Sequence, residues 1–263
     1  CDIKLDEHQY KVIKQMVKER RNFWLEFDIR NHFKLGPVKY HNVVASIKGT
    51  KYPDEYVMVS GHLDAFDVAT GGIDCGTGIG PMMEAARMIA LSGAKPKRTI
   101  LFVAFAGEEF GLLGSKAYVK THAKELGKIA NLFNRDGGPT PPVGISVPQA
   151  MYGDMVEVCK PVKEIRADYP FEVKVAKPFR RPTQSGGTDA SVFAVEGVPT
   201  FGFNTQDIKG YNFSYGEIWH TERDLYTKNI PEYQEHAATV TAVVALGIAN
   251  LSKQLSREGM YKE

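Results

Sequence analysis

Acidic and histidine side chains recur in this chain at the points where predicted strands end and loops begin. They are His62, Asp64, Asp74, Glu108, Glu109, Asp136, His220 and Asp224. Each offers a carboxylate oxygen or an imidazole nitrogen, the donor types that hold divalent cations in catalytic sites. The chain has only three cysteines, which argues against a structural zinc site built from thiolates. The donor set therefore predicts a metal site with hydrolytic chemistry.

Glu108 and Glu109 stand side by side at the end of the most apolar predicted strand. Like charges repel, and partial burial makes ionised carboxylates costly, so the pair calls for a compensating cation. Successive residues of an extended chain point in different directions, which lets one glutamate bind a metal ion while the other faces the reacting water. A Lewis acid with a base beside it is what metal-assisted hydrolysis requires.

Each of these features has an ordinary interpretation when it is taken alone. A His-x-Asp sequence such as His62 to Asp64 is more often a hydrogen-bonded pair than half of a metal site. Adjacent glutamates are usually solvated, and an aspartate such as Asp74 or Asp136 can cap a helix or close a turn. Their joint occurrence at four separate strand ends is what favours the metal site.

Strands and helices alternate along the chain, which predicts an α/β fold: a three-layer αβα domain with a central, mostly parallel mixed sheet. We place strands at residues 41–47, 56–60, 99–106, 129–133, 171–175 and 199–203, and helices at 5–26, 79–90, 112–124, 155–168, 189–195 and 232–253. The first helix is predicted to lead into a further strand, and residues 137–148, rich in Gly and Pro, are predicted to be a loop. Ligands in such folds bind at the carboxyl ends of strands.

Composition argues against several classes of protein. The 263 residues carry a net charge of +2 with both signs interspersed, so no basic stripe indicates a nucleic-acid partner. The most apolar late stretch, residues 242–251, is about half of the ~20 residues that a membrane span needs. The sequence contains neither the Gly-x-Ser-x-Gly elbow of a serine hydrolase nor the His-Glu-x-x-His motif of a helix-borne zinc site.

Six motifs, taken together, resemble family M28 of the co-catalytic zinc exopeptidases, and within it the carboxypeptidase Q-like branch. They run in the family's order between residues 38 and 250: Gly61-His62-Leu63-Asp64, Gly71-Gly72-Ile73-Asp74, residues 97–109 ending in Gly107-Glu108-Glu109, Asn134-Arg135-Asp136-Gly137, Gly186-Gly187-Thr188-Asp189 and Trp219-His220-Thr221. The resemblance implies that residues 1–263 form a single peptidase catalytic domain. Residues 1–37 would be a helix and strand lead-in that follows a missing protease-associated domain.

The resemblance implies two zinc ions per chain, about 3.5–4 Å apart as in other two-metal hydrolases. Asp74 would bridge the ions, His62 and Asp136 would complete the first, and Glu109 and His220 would complete the second. Glu108 would be the general base on a metal-bridged hydroxide and would then return the proton to the leaving amine. Asp64 would hydrogen-bond the second nitrogen of His62 and fix its tautomer.

Substrate contacts are expected from two segments. The resemblance places Gly186, Gly187 and Asp189 in the wall of the cleft. Tyr211 and Tyr215 lie in the loop before His220 and could supply an apolar wall and an oxyanion donor, although packing of an ordinary loop explains them equally well. One departure from the family concerns Cys75, because relatives usually carry Asp or Asn after the bridging aspartate; we interpret it as a tolerated small residue.

The resulting prediction is a zinc-dependent exopeptidase, an aminopeptidase or dipeptidase, acting on short peptides or dipeptides. Two alternatives keep the same fold: a glutaminyl cyclase-like enzyme with one zinc ion, and a receptor-like module without a working site. Ligand types alone would also suit a dinuclear phosphoesterase. No nucleic-acid partner and no membrane span are expected. A homodimer is among the expected assemblies, and the family indicates export to a periplasmic or extracellular setting.

Overall fold

The computed structural model describes residues 3, 5, 7–32, 34 and 36–262. The helices are α1 Glu7–Lys18, α2 Gly76–Leu91, α3 Leu113–Thr121, α4 Gln149–Ile165, α5 Asp189–Val195 and α6 Pro231–Ala249. The strands are β1 Val43–Ile47, β2 Tyr52–His62, β3 Arg98–Phe105, β4 Ile129–Asn134, β5 Pro142–Val147, β6 Glu172–Val175 and β7 Phe203–Thr205. No helix within these described ranges has the length and apolarity needed to cross a membrane.

The strands form a mixed sheet in two connected parts. The first part has the order β1-β3-β2-β4, in which β3, β2 and β4 are parallel and β1 is the antiparallel edge. The second has the order β6-β5-β7, with β6 parallel and β7 antiparallel to β5. The backbone N–H of Leu132 in β4 donates to the carbonyl of Pro199 at 2.8 Å, so the segment leading into β7 runs beside β4.

Side chains of the central strands alternate between two hydrophobic cores. In β3, Ile100 and Phe102 join the core formed with α2, α4 and α6, whereas Val103 and Phe105 join the core formed with α3 and α5. A parallel strand that is covered on both faces must be apolar at nearly every position, which is why residues 100–105 of β3 form a continuous apolar run. The three-layer fold with a mixed sheet is therefore confirmed.

One predicted loop is wrong, because residues 142–147 form β5, the middle strand of the second part of the sheet. Pro142 is the first residue of β5, a position where the missing backbone N–H of a proline is tolerated. Its glycine lies so close to β6 that a Cβ on Gly144 would sit 2.3 Å from the carbonyl oxygen of Glu172. The residues that suggested a loop are thus the ones that permit close strand pairing.

The N-terminal segment also differs from the prediction. The first helix ends at Lys18, and the described residues between Glu19 and Asn42 belong to no helix or strand, so the predicted lead-in strand is not formed there. No residue of α1 is buried, and Trp24 is 97% exposed. Helical spacing of apolar residues indicates a face that can be covered, and this structure covers that face only in part, at Ile13 and Met16.

A pH effect on stability is expected from His236 in α6. Its ring is fully buried, stacks on Tyr169 at 3.9 Å and hydrogen-bonds the carbonyl of Pro142 through Nε2. Burial lowers the pKa of His236 to about 4, against about 6.5 in an unfolded chain. Between these values the unfolded chain binds a proton that the folded chain excludes. The free energy of unfolding should therefore fall as the pH drops from 6.5 to 4, by up to about 1.4 kcal/mol per pH unit.

The measurement is urea unfolding of the wild type and His236→Gln at pH 7, 6, 5 and 4.5. The glutamine keeps a donor for the Pro142 carbonyl but does not titrate, so its acid slope should be shallower. His8→Gln, a change on the exposed face of α1, is the control and should keep the wild-type slope. Equal slopes in all three proteins would contradict the assignment.

Candidate metal centre

The carboxyl ends of β2, β3 and β4 meet at one edge of the sheet and bring the acidic residues together. His62 is the last residue of β2, Glu108 and Glu109 follow β3, and Asp136 lies two residues beyond β4. These three strands are parallel neighbours, so their carboxyl ends lie at the same edge. Asp74 comes from the loop before α2, directly above this edge.

Asp74 lies at the centre of the cluster, with one carboxylate oxygen toward each histidine. Its Oδ1 lies 2.9 Å from Nε2 of His62, and its Oδ2 lies 3.9 Å from Nε2 of His220. Asp136 Oδ1 is 3.5 Å from the first of these nitrogens, and Glu109 Oε2 is 2.9 Å from the second. The five side chains predicted as ligands are therefore close together. His62 and Asp136 lie on one side of the Asp74 carboxylate, and Glu109 and His220 lie on the other.

The donors of this cluster fit a bound cation. Glu109 Oε1 is buried without a hydrogen-bond partner among the described residues, which is costly unless something positive meets it. Burial and the nearby charge of Asp74 raise the pKa of Glu109 to about 7. The pKa of His62 is raised as well, because hydrogen bonds to Asp136 and Asp74 outweigh burial, and in a histidine this favours the charged ring. A divalent cation would stabilise the carboxylates and leave the imidazoles neutral to bind it.

The second nitrogen of His62 is held by the backbone. Nδ1 lies 2.9 Å from the carbonyl oxygen of Asp64, and because a carbonyl can only accept, Nδ1 carries the proton. In the neutral ring this leaves the Nε2 lone pair facing Asp74 and Asp136, the tautomer that a metal ligand needs. The sequence-based assignment of this bond to the Asp64 carboxylate is not met, since that oxygen is 3.8 Å away.

The carboxylate of Asp64 instead holds the loop that carries the two glutamates. Its two oxygens accept the backbone N–H groups of Glu108 and Glu109, each at 3.1 Å. Both oxygens are occupied by these donors, which is the physical reason that the carboxylate does not turn toward His62. Asp64 thus holds the backbone of Glu108 and Glu109 at the edge of the sheet.

Replacing Asp64 should loosen this loop. In Asp64→Ala, two backbone donors lose their acceptor, and we expect a loss of unfolding free energy of about 1–3 kcal/mol and a 10–100-fold weaker zinc affinity. Asp64→Asn keeps one acceptor oxygen and should fall between Ala and wild type. Chemical unfolding and competition with a zinc-binding dye measure the two effects. An alanine variant with wild-type zinc affinity would show that the loop holds its position without this carboxylate.

His220 is positioned by two aromatic rings. The ring of Phe66 stacks on it at a centroid distance of 4.2 Å with planes 3° apart, and Trp219 lies against it at 4.1 Å. The backbone of His220 has φ 58°, in the left-handed region. Stacking therefore holds an imidazole whose own backbone conformation is uncommon for a non-glycine residue. Sequence reasoning did not find Phe66, because no motif links it to a residue more than 150 positions later.

Glu108 lies beside the cluster without joining its close contacts. Burial, together with the charges of Asp136, Asp189 and Glu109, raises its pKa to about 8, although the opposite charge of His62 works against this. The two adjacent glutamates thus have different surroundings: Glu109 contacts His220 directly, while Glu108 has no such ligand contact in the described part of the chain. The assignment of Glu109 as a ligand and Glu108 as the base stays a prediction.

Asp224 has a function that the sequence did not specify. Its carboxylate, which is almost fully buried, accepts the backbone N–H of Ile73 at 2.7 Å and that of Asp74 at 3.2 Å. The chain around His220 is thereby tied to the loop that carries Asp74. The only sequence signal was an acidic residue four positions after the histidine, and it did not indicate a backbone acceptor.

A cleft of about 290 Å³ opens above the cluster. Four of the five predicted ligands line it, all but His62, together with Glu108, Gly186, Gly187, Trp219 and Lys116. Asp189, predicted to line the cleft, is instead fully buried at the start of α5, where it is not part of the wall. Burial raises the pKa of its carboxyl group to about 6.

The structure places the two tyrosines predicted to contact substrate, Tyr211 and Tyr215, in different surroundings. The hydroxyl of Tyr211 donates to Glu232 and its ring packs on Tyr233, so the structure does not bring it to the cleft wall. Tyr215 is half-buried beside the cluster, where burial and the neighbouring Asp74 raise the pKa of its phenol. Only Tyr215 is therefore near the reacting groups.

Cys75 is buried behind the cluster. Its Sγ donates to the carbonyl oxygen of Arg135 at 2.9 Å, and burial raises the pKa of the thiol. Its sulfur also lies with a nitrogen of His62 and a carboxylate oxygen of Asp136 in a group whose atoms are all within 4.8 Å of one another. The interpretation of Cys75 as a small tolerated residue stays a prediction.

Comparison with known proteins places this geometry in a family. Residues 42–244 match the model of peptidase family M28, which is more than half of the chain. The chain belongs to peptidase family M28. The metal cluster, the three-layer fold and the six sequence motifs lie within or close to the matched range. The resemblance to family M28 drawn from the sequence is thus confirmed.

Several M28 relatives are similar over most of the chain. Carboxypeptidase Q of Rattus norvegicus is 30% identical over 236 residues, which is 86% of this chain and 46% of the relative. The solved structure of a peptidase M28 precursor from Shewanella amazonensis is 32% identical with a TM-score of 0.68, over 82% of this chain and 46% of that one. The chain therefore spans about half the length of the relatives it matches.

A more distant M28 neighbour shares the fold. The zinc aminopeptidase of Bacillus subtilis is 21% identical with a TM-score of 0.61, over 84% of this chain and 53% of that one. Membership of the family supports zinc as the metal of the cluster.

Proposed function

We propose that this chain is a zinc exopeptidase that removes one residue from a short peptide or cleaves a dipeptide. The observation that carries the proposal is the cluster itself: two histidines and three carboxylates meet around Asp74, with Glu108 next to them at the mouth of a small cleft. Family membership supports the reaction class. The division into aminopeptidase or dipeptidase is part of the proposal.

Five side chains would hold two zinc ions. Asp74 would be shared, because its two oxygens face different histidines. His62 and Asp136 would hold one ion, and Glu109 and His220 the other. Bound zinc would supply the Lewis acidity that activates water and polarises the scissile carbonyl.

Glu108 would take a proton from the reacting water and return it to the leaving amine. A carboxyl group whose pKa lies near 8 in the metal-free protein, and would fall beside a bound cation, is in the range where it exchanges protons at neutral pH. Its backbone is fixed by Asp64, so the carboxylate is presented from a rigid strand end. Tyr215, beside Asp74, is placed to donate a hydrogen bond toward the same region.

The test is metal content per chain together with hydrolysis of an aminoacyl-p-nitroanilide panel, before and after chelation. Two zinc ions, with activity lost on chelation and restored by zinc, are expected. One ion without aminoacyl hydrolysis would favour a cyclase-like enzyme. No metal after reconstitution with zinc would overturn the ligand assignment and favour a module without catalysis.

Three further predictions follow from the family resemblance. Residues 1–263 are proposed to form one catalytic domain, the assembly is proposed to be a homodimer, and the protein is proposed to be exported. Light scattering of the purified protein tests the assembly, and fractionation of producing cells tests the export.

A further inference from the structure

The charges around the cleft are uneven. Four acidic residues line it on the side of the metal cluster, and Lys116 is the one lysine or arginine among the described residues of its wall. Three of the four carboxylates would be ligands of the proposed metal ions, and the fourth belongs to Glu108, the proposed base. The charge of Lys116 is matched by no carboxylate in the ion pairs of the described chain, so it is available to a negatively charged ligand.

Lys116 is close to the reacting groups because of a tight turn. The backbone N–H of Gly111 donates to the carbonyl of Glu108, and the carbonyl of Gly111 accepts a hydrogen bond from Nζ of Lys116, both at 2.9 Å. Lys116 is therefore linked through Gly111 to the backbone of Glu108, and both residues line the same cleft. An ammonium group has three N–H donors, and this contact occupies one of them.

The position of Lys116 is set by a helix rather than by a mobile loop. It lies in the first turn of α3, where its backbone N–H donates to the carbonyl of Leu112 at 3.0 Å. The neighbours Gly114 and Ser115 are buried against the protein, so the helix presents Lys116 to the cleft from a packed base. The contact with Gly111 then fixes the end of the side chain.

We propose that Lys116 binds the free carboxylate of the amino acid that leaves when the peptide bond is cleaved. This inference rests on the proposed function. When the leaving part is a single amino acid, its carboxylate lies only two bonds beyond the scissile nitrogen, within the same small cleft. A volume of about 290 Å³ is at the lower end of the ~300–1,000 Å³ of small-molecule sites, which suits a ligand of two residues. Lys116 thereby selects dipeptides over longer or amidated peptides.

The test compares Leu-Ala with Leu-Ala amide, which differ only in the charge that Lys116 would recognise. The zinc-loaded wild type should show a kcat/KM ratio of acid to amide of at least about ten, as expected for a charge-assisted hydrogen bond. In Lys116→Met the ratio should fall close to one. Lys116→Arg keeps the charge and should keep most of the preference. Lys120→Met, on the same helix but outside the cleft wall, should match the wild type.

A binding measurement separates this inference from the proposed function. Calorimetry of zinc-loaded Glu108→Gln with the two compounds gives a ratio of dissociation constants without turnover. A ratio of at least about ten that disappears in Glu108→Gln/Lys116→Met supports the role of Lys116 even if no variant hydrolyses any peptide. Equal affinity for acid and amide, or a preference that survives Lys116→Met, would overturn it. Hydrolysis of Leu-Ala and Leu-Ala amide with equal kcat/KM would leave the exopeptidase proposal intact and would contradict only the proposed role of Lys116.

Discussion

Glu108→Gln is expected to lower kcat/KM for aminoacyl-p-nitroanilide hydrolysis by about 10²–10⁴-fold while zinc content stays unchanged. The amide has the shape of the carboxylate but cannot take a proton from water and return it to an amine. Glu108 is absent from the close contacts that join the five proposed ligands, so the ions should remain bound. The variant thus separates proton transfer from metal binding.

The measurements are steady-state kinetics and zinc per chain by mass spectrometry. Glu84→Gln is the control, because Glu84 lies on the exposed side of α2, paired with Arg87, and should leave both quantities at wild-type values. A Glu108→Gln protein that keeps full activity would exclude this residue as the base. One that loses zinc would instead assign it to the ligands.

Asp74→Asn is expected to disrupt both halves of the metal centre at once. Asp74 is the residue whose two oxygens face the two histidines, and an amide binds zinc weakly compared with a carboxylate. We expect zinc per chain to fall below two and activity to fall by about 10³-fold or more, since the Lewis acid supplies several kcal/mol of transition-state stabilisation.

Stability gives a second readout for Asp74→Asn. A ligand that binds only the folded state stabilises it by about 4 kcal/mol at a thousand times its dissociation constant. The melting temperature of the wild type should therefore rise with added zinc, and that of Asp74→Asn should rise much less. Asp54→Asn, at the exposed opposite end of β2, should behave as the wild type. Equal responses to zinc in all three would argue that Asp74 is not a shared ligand.

The site was predictable from the sequence because its residues follow apolar strands. An uninterrupted apolar run such as residues 100–106 indicates a strand buried on both faces, and charged residues that closely follow it must lie at the sheet edge. That argument places Glu108 and Glu109 together, but it does not connect them to His220, which only the family resemblance did. The structure brings these residues together, with His220 and Glu109 2.9 Å apart.

Contacts that depend on distant parts of the chain were not predictable. Asp224 holds the backbone of Ile73 across 151 positions, and the carboxylate of Asp64 holds residues 44 and 45 positions later. No periodicity or motif in the sequence indicates either contact, because each depends on how the loops pack together once the sheet has formed. The same applies to β5, whose strand pairing is specified by β6 and β7 and not by local propensity.

The packing of Trp219 against His220 also gives the protein an optical reporter. The chain has two tryptophans: Trp24 is 97% exposed, while Trp219 is 39% exposed and forms part of the cleft wall. A paramagnetic ion such as Co²⁺ bound through His220 would quench the indole of Trp219, which packs against that ring. In Trp24→Phe the fluorescence would come from the cleft alone, so metal exchange and ligand entry could be followed in real time without a label.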